Sequence, residues 1–205
     1  RVVLLCATRR GLLFLEKLVE LLPKCNLTVL SFREEEIDPP FMDSIRELSL
    51  ASNGKFFECK RVESKSMANL WESKDIDLMF VVSWRYIIPA GIFDRPRLGT
   101  YVFHDSLLPR YRGFSPTVWS IINGENHTGV TLFQMAEDVD SGDIIDQQPI
   151  WISPDNTISE VMESVTQVYL DLLEDNLPAL LNGTAPRYPQ DDGCATYTSR
   201  RFLKD

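Results

Sequence analysis

No run of apolar residues in this chain approaches the roughly 18 that a membrane-spanning helix requires, and the first residues lack the charged, apolar, small-residue order of a secretory leader. A cytoplasmic protein without a membrane partner is therefore expected. Cysteine is scarce too. Cys6, Cys25, Cys59 and Cys194 form no CxxC pair and stand at no histidine-linked spacing, so reduced thiols are expected and a bound metal is not. Positive charge is the third deficit: a net charge of −9 argues against a nucleic-acid partner, because backbone affinity is built from clustered Lys and Arg. There is no internal repeat, no low-complexity tract and no GxGxxG after the first apolar run, which weakens a dinucleotide reading. The initiator Met is also missing, so the numbered chain is not expected to be the complete product.

What is present is an ordinary globular composition, 44% apolar and 25% charged over 205 residues, in which strand and helix signals alternate. That alternation predicts an α/β fold with a mostly parallel sheet. Residues 1–7 and 27–32 read as the first two strands. Between them Leu12, Leu15, Leu18, Val19 and Leu22 recur at helical spacing before Pro23. An acidic, proline-ended loop (33–40), a helix (41–51), a strand (55–59) and a further helix (64–73) follow. Residues 76–83 contain the apolar run LMFVV, of the kind a strand covered on both faces requires, and should form the centre of the sheet with 100–103 beside it. Strands at 128–135 and 144–152 complete it, antiparallel because their connection is too short for a helix. The last long helix, 157–181, carries Ile158, Val161, Val165, Val168, Leu172 and Leu173 on one side, opens on an Asn156/Thr157 cap and stops at Asn182-Gly183. A catalytic domain over 1–183 and a tail over 184–205, packing on it or extending from it, are expected.

The chemistry concentrates in residues 102–143. His104 stands just after the apolar run TYVF, and Asp140 follows it by 36 residues within an acidic loop, also at a strand end. An imidazole near a carboxylate is a candidate general acid/base, since histidine titrates near neutrality and a carboxylate can orient it. A buried His with a turn-capping Asp is the plainer alternative. Open α/β sheets bind ligands at the carboxyl ends of their strands, which would gather the loops after Ala7, Ser83, His104 and Met135 on one rim. Thr8, Arg9 and Arg10 lie where a helix N-terminus favours an anion, or else are solvated surface. Arg110 and Arg112 suggest a split, one anchoring the loop and the other near substrate. Trp84, Tyr86 and Trp119 suit stacking on a base or pterin, although aromatics at such positions more often fill core. Asp138 and Asp143 read as loop-shaping, Ser106 has no arrangement that makes it a nucleophile, and His127 should face solvent.

Taken as strings, HDSLLPRYRG at 104–113, TGVTLFQM at 128–135 and DVDSGDI at 138–144 resemble the signature of the folate-dependent formyltransferases, whose members act on glycinamide ribonucleotide, methionyl-tRNA and nucleotide sugars. Ser83-Trp84-Arg85-Tyr86-Ile87-Ile88-Pro89 resembles the folate-pocket loop of that family, and Pro189-Gln190-Asp191 with Ala195-Thr196-Tyr197 the segment closing its catalytic domain. The resemblance implies a Rossmann-like sheet with helices on both faces. It implies transfer of a formyl group from 10-formyltetrahydrofolate to an amine, with His104 and Asp140 catalytic. Folate contacts would come from Trp84, Arg85, Tyr86, Ile87, Ile88, Asp138 and Val139. Acceptor contacts would come from Thr8, Arg9, Arg10, Ser106, Arg110, Arg112 and Gly113. One position departs from the pattern: Val102 stands where the family has Asn, and losing that donor costs on the order of 3 kcal/mol of oxyanion stabilisation unless another replaces it. The wording is most like nucleotide-sugar enzymes acting on 4-amino-4,6-dideoxyhexoses of the GDP-perosamine type, and an appended tRNA-binding domain is not expected. The alternatives are glycinamide ribonucleotide as acceptor, a formyltetrahydrofolate hydrolase, and an inactive folate- or nucleotide-binding relative. Expected partners are a nucleotide-linked amino sugar, a folate and a second copy of the chain.

Overall fold

The apolar runs become strands in a computed structural model that describes residues 1–35, 39–73 and 75–200. Positions 36–38 of the expected acidic loop and 201–205 of the tail lie outside the described residues. By internal contacts the chain divides into two compact units, Arg1–Tyr101 with Leu180–Gly183, and Val102–Ala179 with the residues from Thr184 onward.

The first unit holds β1 (Val2–Cys6), β2 (Leu27–Ser31), β3 (Lys55–Glu58) and β4 (Leu78–Val82), all parallel, with β1 between β2 and β4. Every residue of β1, β2 and β4 is buried, which is why β1 (VVLLC) and β4 (LMFVV) are continuously apolar and not alternating, while β2 (LTVLS) also buries Thr28 and Ser31. Helix α1 (Thr8–Leu21) presents Gly11, Phe14, Leu15 and Leu18 inward. Leu12, Val19 and Leu22, expected on that stripe, are only half-buried. The inner face is set by Gly11, where a Cβ would stand 3.0 Å from Cys6 Cβ, so only glycine lets the first turn lie this close to β1. The helix expected at 64–73 is a 3₁₀ turn (Lys65–Met67) leading into α3 (Ala68–Glu72). Helix α2 (Met42–Ala51) lies where the periodicity put it, whereas the single turn α4 (Ala90–Phe93) went unread behind Pro89.

The second unit is built on β5 (Thr100–His104), which enters it from the first, and on the antiparallel pair β7 (His127–Gln134) and β8 (Ile144–Trp151). A two-residue ladder, β6 (Arg112–Gly113) with β9 (Tyr197–Thr198), was invisible at the sequence level. Helix α5 (Pro116–Ile122) follows β6. Helix α6 (Ile158–Asn182) opens on a reciprocal cap, Glu160 N–H donating to Thr157 Oγ1 while Thr157 N–H and hydroxyl donate to Glu160 Oε2. It buries Val161, Val165, Val168, Tyr169, Leu172 and Leu173, each aliphatic side chain contributing about 1.5–3 kcal/mol on full burial.

Among the described residues the main sheet has the order β3-β2-β1-β4-β5-β7-β8, so the 76–83 run does supply its central strand, and β7 and β8 run antiparallel to each other. At the β8 edge, Ile144 exchanges both backbone hydrogen bonds with Tyr188, Gln147 N–H turns to Asp146 Oδ1, and Pro149 has no N–H to offer.

Candidate active site

His104 is the last residue of β5 and is 8% exposed. Its Nε2 lies 2.8 Å from the carbonyl oxygen of Tyr111. A carbonyl only accepts, so Nε2 carries the proton and, in the neutral ring, the free lone pair is on Nδ1. Nδ1 in turn faces Asp140 Oδ2 at 3.6 Å, too long for a hydrogen bond but close enough for an ion pair once the ring is protonated. The orienting role expected of the carboxylate thus falls to a backbone carbonyl, and the carboxylate is left to stabilise charge. Asp140 is held in turn: its Oδ2 accepts from Gly113 N–H at 2.7 Å, and its backbone adopts φ +50°, a left-handed conformation a non-glycine residue keeps only when its surroundings hold it.

The loop carrying Tyr111 is fixed from several directions. Ser106, 1% exposed, donates to Arg110 O at 2.7 Å, which makes it a loop brace, in keeping with its lack of a nucleophile's setting. Thr131 of β7 donates to Ser106 O and accepts from Leu108 N–H, while Gln147 of β8 donates to both Leu108 O and Thr131 Oγ1. The two arginines do divide. Arg110 is half-exposed and pairs with Glu125, whose carboxylate also accepts from Tyr111 Oη at 2.7 Å. The Tyr111 hydrogen bond and the Arg110 guanidinium hold the Glu125 carboxyl below its ordinary range. Arg112, 1% exposed, spends its guanidinium on Gln190 Oε1, Asp192 Oδ1 and Tyr197 Oη. Burial works against its charge, but the hydrogen bonds it donates to Tyr197 and Asp192 outweigh that and its pKa rises. Arg112 is therefore the anchor of the pair, not a residue open to an acceptor. Gly113, at φ +100°, passes so close to β9 that a Cβ would meet Thr198 O at 2.5 Å.

Asp138 accepts from Ser141 through its backbone carbonyl, and Val139 is 59% exposed at the tip of the same loop. Val102 is half-buried on β5, two residues before His104, and supplies no polar group. His127 is exposed, as expected.

In the first unit, the loops after β1 and β4 leave neighbouring strands, with Ala7 N–H bonded to Val82 O and both Thr8 and Ser83 at positive φ. Arg9 is exposed and Arg10 buried, and neither is free of partners. Trp84, Tyr86 and Phe32 meet edge to face at 4.9–6.0 Å between centroids, with the Arg85 guanidinium over the Phe32 ring. Trp84 Nε1 is buried without a hydrogen-bond partner. Ile87 is 87% exposed, and Ile88, at 4%, belongs to the core.

Sequence reasoning missed the Tyr111 carbonyl, because a backbone acceptor leaves no mark on residue type. It also missed Tyr169, whose hydroxyl binds Phe103 O and Asp105 Oδ1 on either side of His104. That tyrosine sits on the buried stripe of α6, where an aromatic with a polar tip is a signal in itself. Among the described residues no group of three or more His, Cys, Asp or Glu side chains is placed to hold a metal, and no helix is long and apolar enough to cross a membrane.

Several known proteins share this fold. An N-formyltransferase from Helicobacter canadensis, solved with folinic acid and dTDP-3-aminofucose, superposes with a TM-score of 0.75 over 97% of this chain and 70% of its own, at 18% identity. A sugar N-formyltransferase from a Shewanella species gives 0.74 over 96% and 75%, at 22% identity. In sequence, the methionyl-tRNA formyltransferase of Staphylococcus aureus is 37% identical over 131 residues, 64% of this chain but 42% of that relative's length. The profile described as Formyl transferase matches residues 29–175, well over half of the chain and including both His104 and Asp140, and the chain belongs to that family.

Proposed function

We propose that this chain moves a formyl group from 10-formyltetrahydrofolate to the amine of a nucleotide-linked amino-dideoxy sugar of the 4-amino-4,6-dideoxyhexose type. The observation that carries this is His104 Nδ1, a lone pair held toward Asp140 by the Tyr111 carbonyl on the far side of the ring. The folate supplies the formyl carbon. His104 Nδ1 takes the proton the attacking amine loses, and the Asp140 carboxylate stabilises the imidazolium, which can then return that proton toward the departing nitrogen. With Val102 in place of the family Asn, stabilisation of the oxyanion rests on the protonated ring and on backbone or water donors. Trp84 Nε1, buried without a partner beside two further aromatic rings, fits a heteroaromatic ligand with a hydrogen-bond acceptor. On the family resemblance we assign folate contacts to Trp84, Arg85, Tyr86 and the Ile87–Ile88 backbone, and separately to Asp138 and Val139. Acceptor contacts are assigned to Thr8, Arg9, Arg10 and Arg110.

A sugar acceptor is supported by the solved sugar N-formyltransferases of like fold and by the net charge of −9, which disfavours tRNA. A second reading, the initiator tRNA, is favoured by the 37% identity to methionyl-tRNA formyltransferase. The test is incubation with 10-formyltetrahydrofolate and each of a panel of acceptors: GDP-, dTDP- and UDP-linked amino sugars, glycinamide ribonucleotide, and methionyl-tRNA. The acceptor's mass is then followed. Formylation of an amino-sugar nucleotide is expected. Formylation of methionyl-tRNA alone would replace the first reading with the second, and release of formate without any amine would make the chain a hydrolase. Folate binding without turnover would make it an inactive relative, with Val102 the reason.

A further inference from the structure

We propose that Gln190 is a positioning residue for Asp140, coupling the buried Arg112 to the conformation of the catalytic loop; the proposal deepens the functional reading above and rests on it. The Gln190 amide uses its whole hydrogen-bonding capacity. Its Oε1 accepts from Arg112 Nε and Nη2 at 3.1 and 2.7 Å, and its Nε2 donates to Asp140 O at 2.8 Å and Gly142 O at 2.7 Å. The orientation is unambiguous, because a guanidinium only donates and a carbonyl only accepts. The two carbonyls it grips flank the turn in which Asp140 sits at φ +50°, and a Cβ at Gly142 would overlap Gln134 O at 1.7 Å, so the turn folds tightly back on the end of β7.

Aspartate tolerates the left-handed region better than most residues but still favours φ < 0, so contacts that fix this turn bear on where its carboxylate stands. Gly113 N–H holds its side chain, and Gln190 holds the main chain that follows, at Asp140 O and at Gly142 O two residues on, while Ser141 bonds Asp138 O on the preceding side. Release of that grip lets the carboxylate leave its position 3.6 Å from His104 Nδ1. Displacements of about 1 Å at a reacting pair cost up to roughly a hundredfold in rate. Gln190 stands 50 residues from Asp140 in sequence, so the catalytic loop depends on a segment that touches no reacting atom.

Gln190→Glu separates this role from simple docking of the tail. A glutamate keeps, as an ion pair, the acceptor that Arg112 needs, but turns an anionic oxygen toward two carbonyls that require donors. We expect kcat to fall roughly ten- to hundredfold with the acceptor KM within about twofold and the melting temperature near wild type. The readout independent of turnover is the side-chain ¹⁵N spectrum of His104, assigned with His127→Gln. Gln190→Glu and Asp140→Asn should perturb the His104 signals alike. Wild-type His104 signals in Gln190→Glu, where Asp140→Asn shifts them, would overturn the proposal even if no acceptor is ever found. Should Gln190→Glu not fold, Gln190→Met, which deletes donor and acceptor together, is read by the same spectrum with the same two outcomes. A wild-type protein that formylates nothing would remove the functional reading and leave the spectral result standing.

Discussion

At the ends of β1 and β4 the chain leaves Trp84 Nε1 buried and unpartnered and Ile87 almost fully exposed. At the end of β5, by contrast, Ser106, Tyr111, Arg112, Gly113 and Asp140 each have a hydrogen-bond partner, several from segments distant in sequence. On the function proposed above, the first arrangement would suit a ligand with an acceptor, since a buried donor without a partner costs about 1–3 kcal/mol until something accepts from it. The second would be pre-organisation, with the cost of placing His104 and Asp140 met during folding. The two loop sets should therefore answer differently to mutation.

The widest separation should come from the reacting pair. His104→Asn and Asp140→Asn are each expected to lower kcat by at least roughly a hundredfold, about 2.7 kcal/mol of transition-state stabilisation, with the melting temperature little changed. A near-normal rate in either would take that residue out of the mechanism. Arg112→Met probes the brace itself. Removing a guanidinium that is 1% exposed leaves Gln190 Oε1 without its two donors, and we expect a loss of about 2–3 kcal/mol in chemical denaturation. A loss below about 0.5 kcal/mol would mean that the tail holds without it.

Trp84→Phe is the complementary probe of the first unit. Because the lost N–H has no partner, stability should move by less than about 1 kcal/mol, while folate affinity, measured by titration calorimetry, should weaken roughly tenfold. Unchanged affinity would return Trp84 to the core. The smallest effect belongs to Glu125→Gln. The folded-state pKa of Glu125 lies below its ordinary 4.5, so its ionised form adds stability above that pH, and the contribution disappears as pH falls through the depressed value. With Arg110 half-exposed, the pair contributes about 1 kcal/mol or less. The melting temperature of the variant should trail wild type by about 2–4 °C at pH 7, and the gap should close as pH falls through the depressed value. A gap that does not narrow in acid would assign the effect to shape and not to charge.

Much of this was legible in the residues. Continuous burial of β4 dictated its apolar run and its central place, and the short 136–143 connection forced β7 and β8 antiparallel. His104 at a strand end facing Asp140 across a loop followed from spacing and from the family strings. What stayed hidden was carried by the main chain or by long-range pairing: the Tyr111 carbonyl that sets the tautomer, the β6–β9 ladder only two residues long, and the choice between Arg110 and Arg112 as anchor. Both arginines look alike in a string. Only the arrival of Gln190, Asp192 and Tyr197 from some 80 residues later separates them.

The border of β8 has a consequence for self-association. An exposed strand edge recruits further strands through its unused N–H and C=O groups, and a protein with such an edge polymerises as its concentration rises. Here Ile144 has both groups committed to Tyr188, Gln147 has turned its N–H to a neighbouring carboxylate, and Pro149 has none. A second copy arriving at this border finds few backbone donors to grip. Lateral growth at this border is thus opposed by a neighbouring backbone segment, an aspartate side chain and a proline.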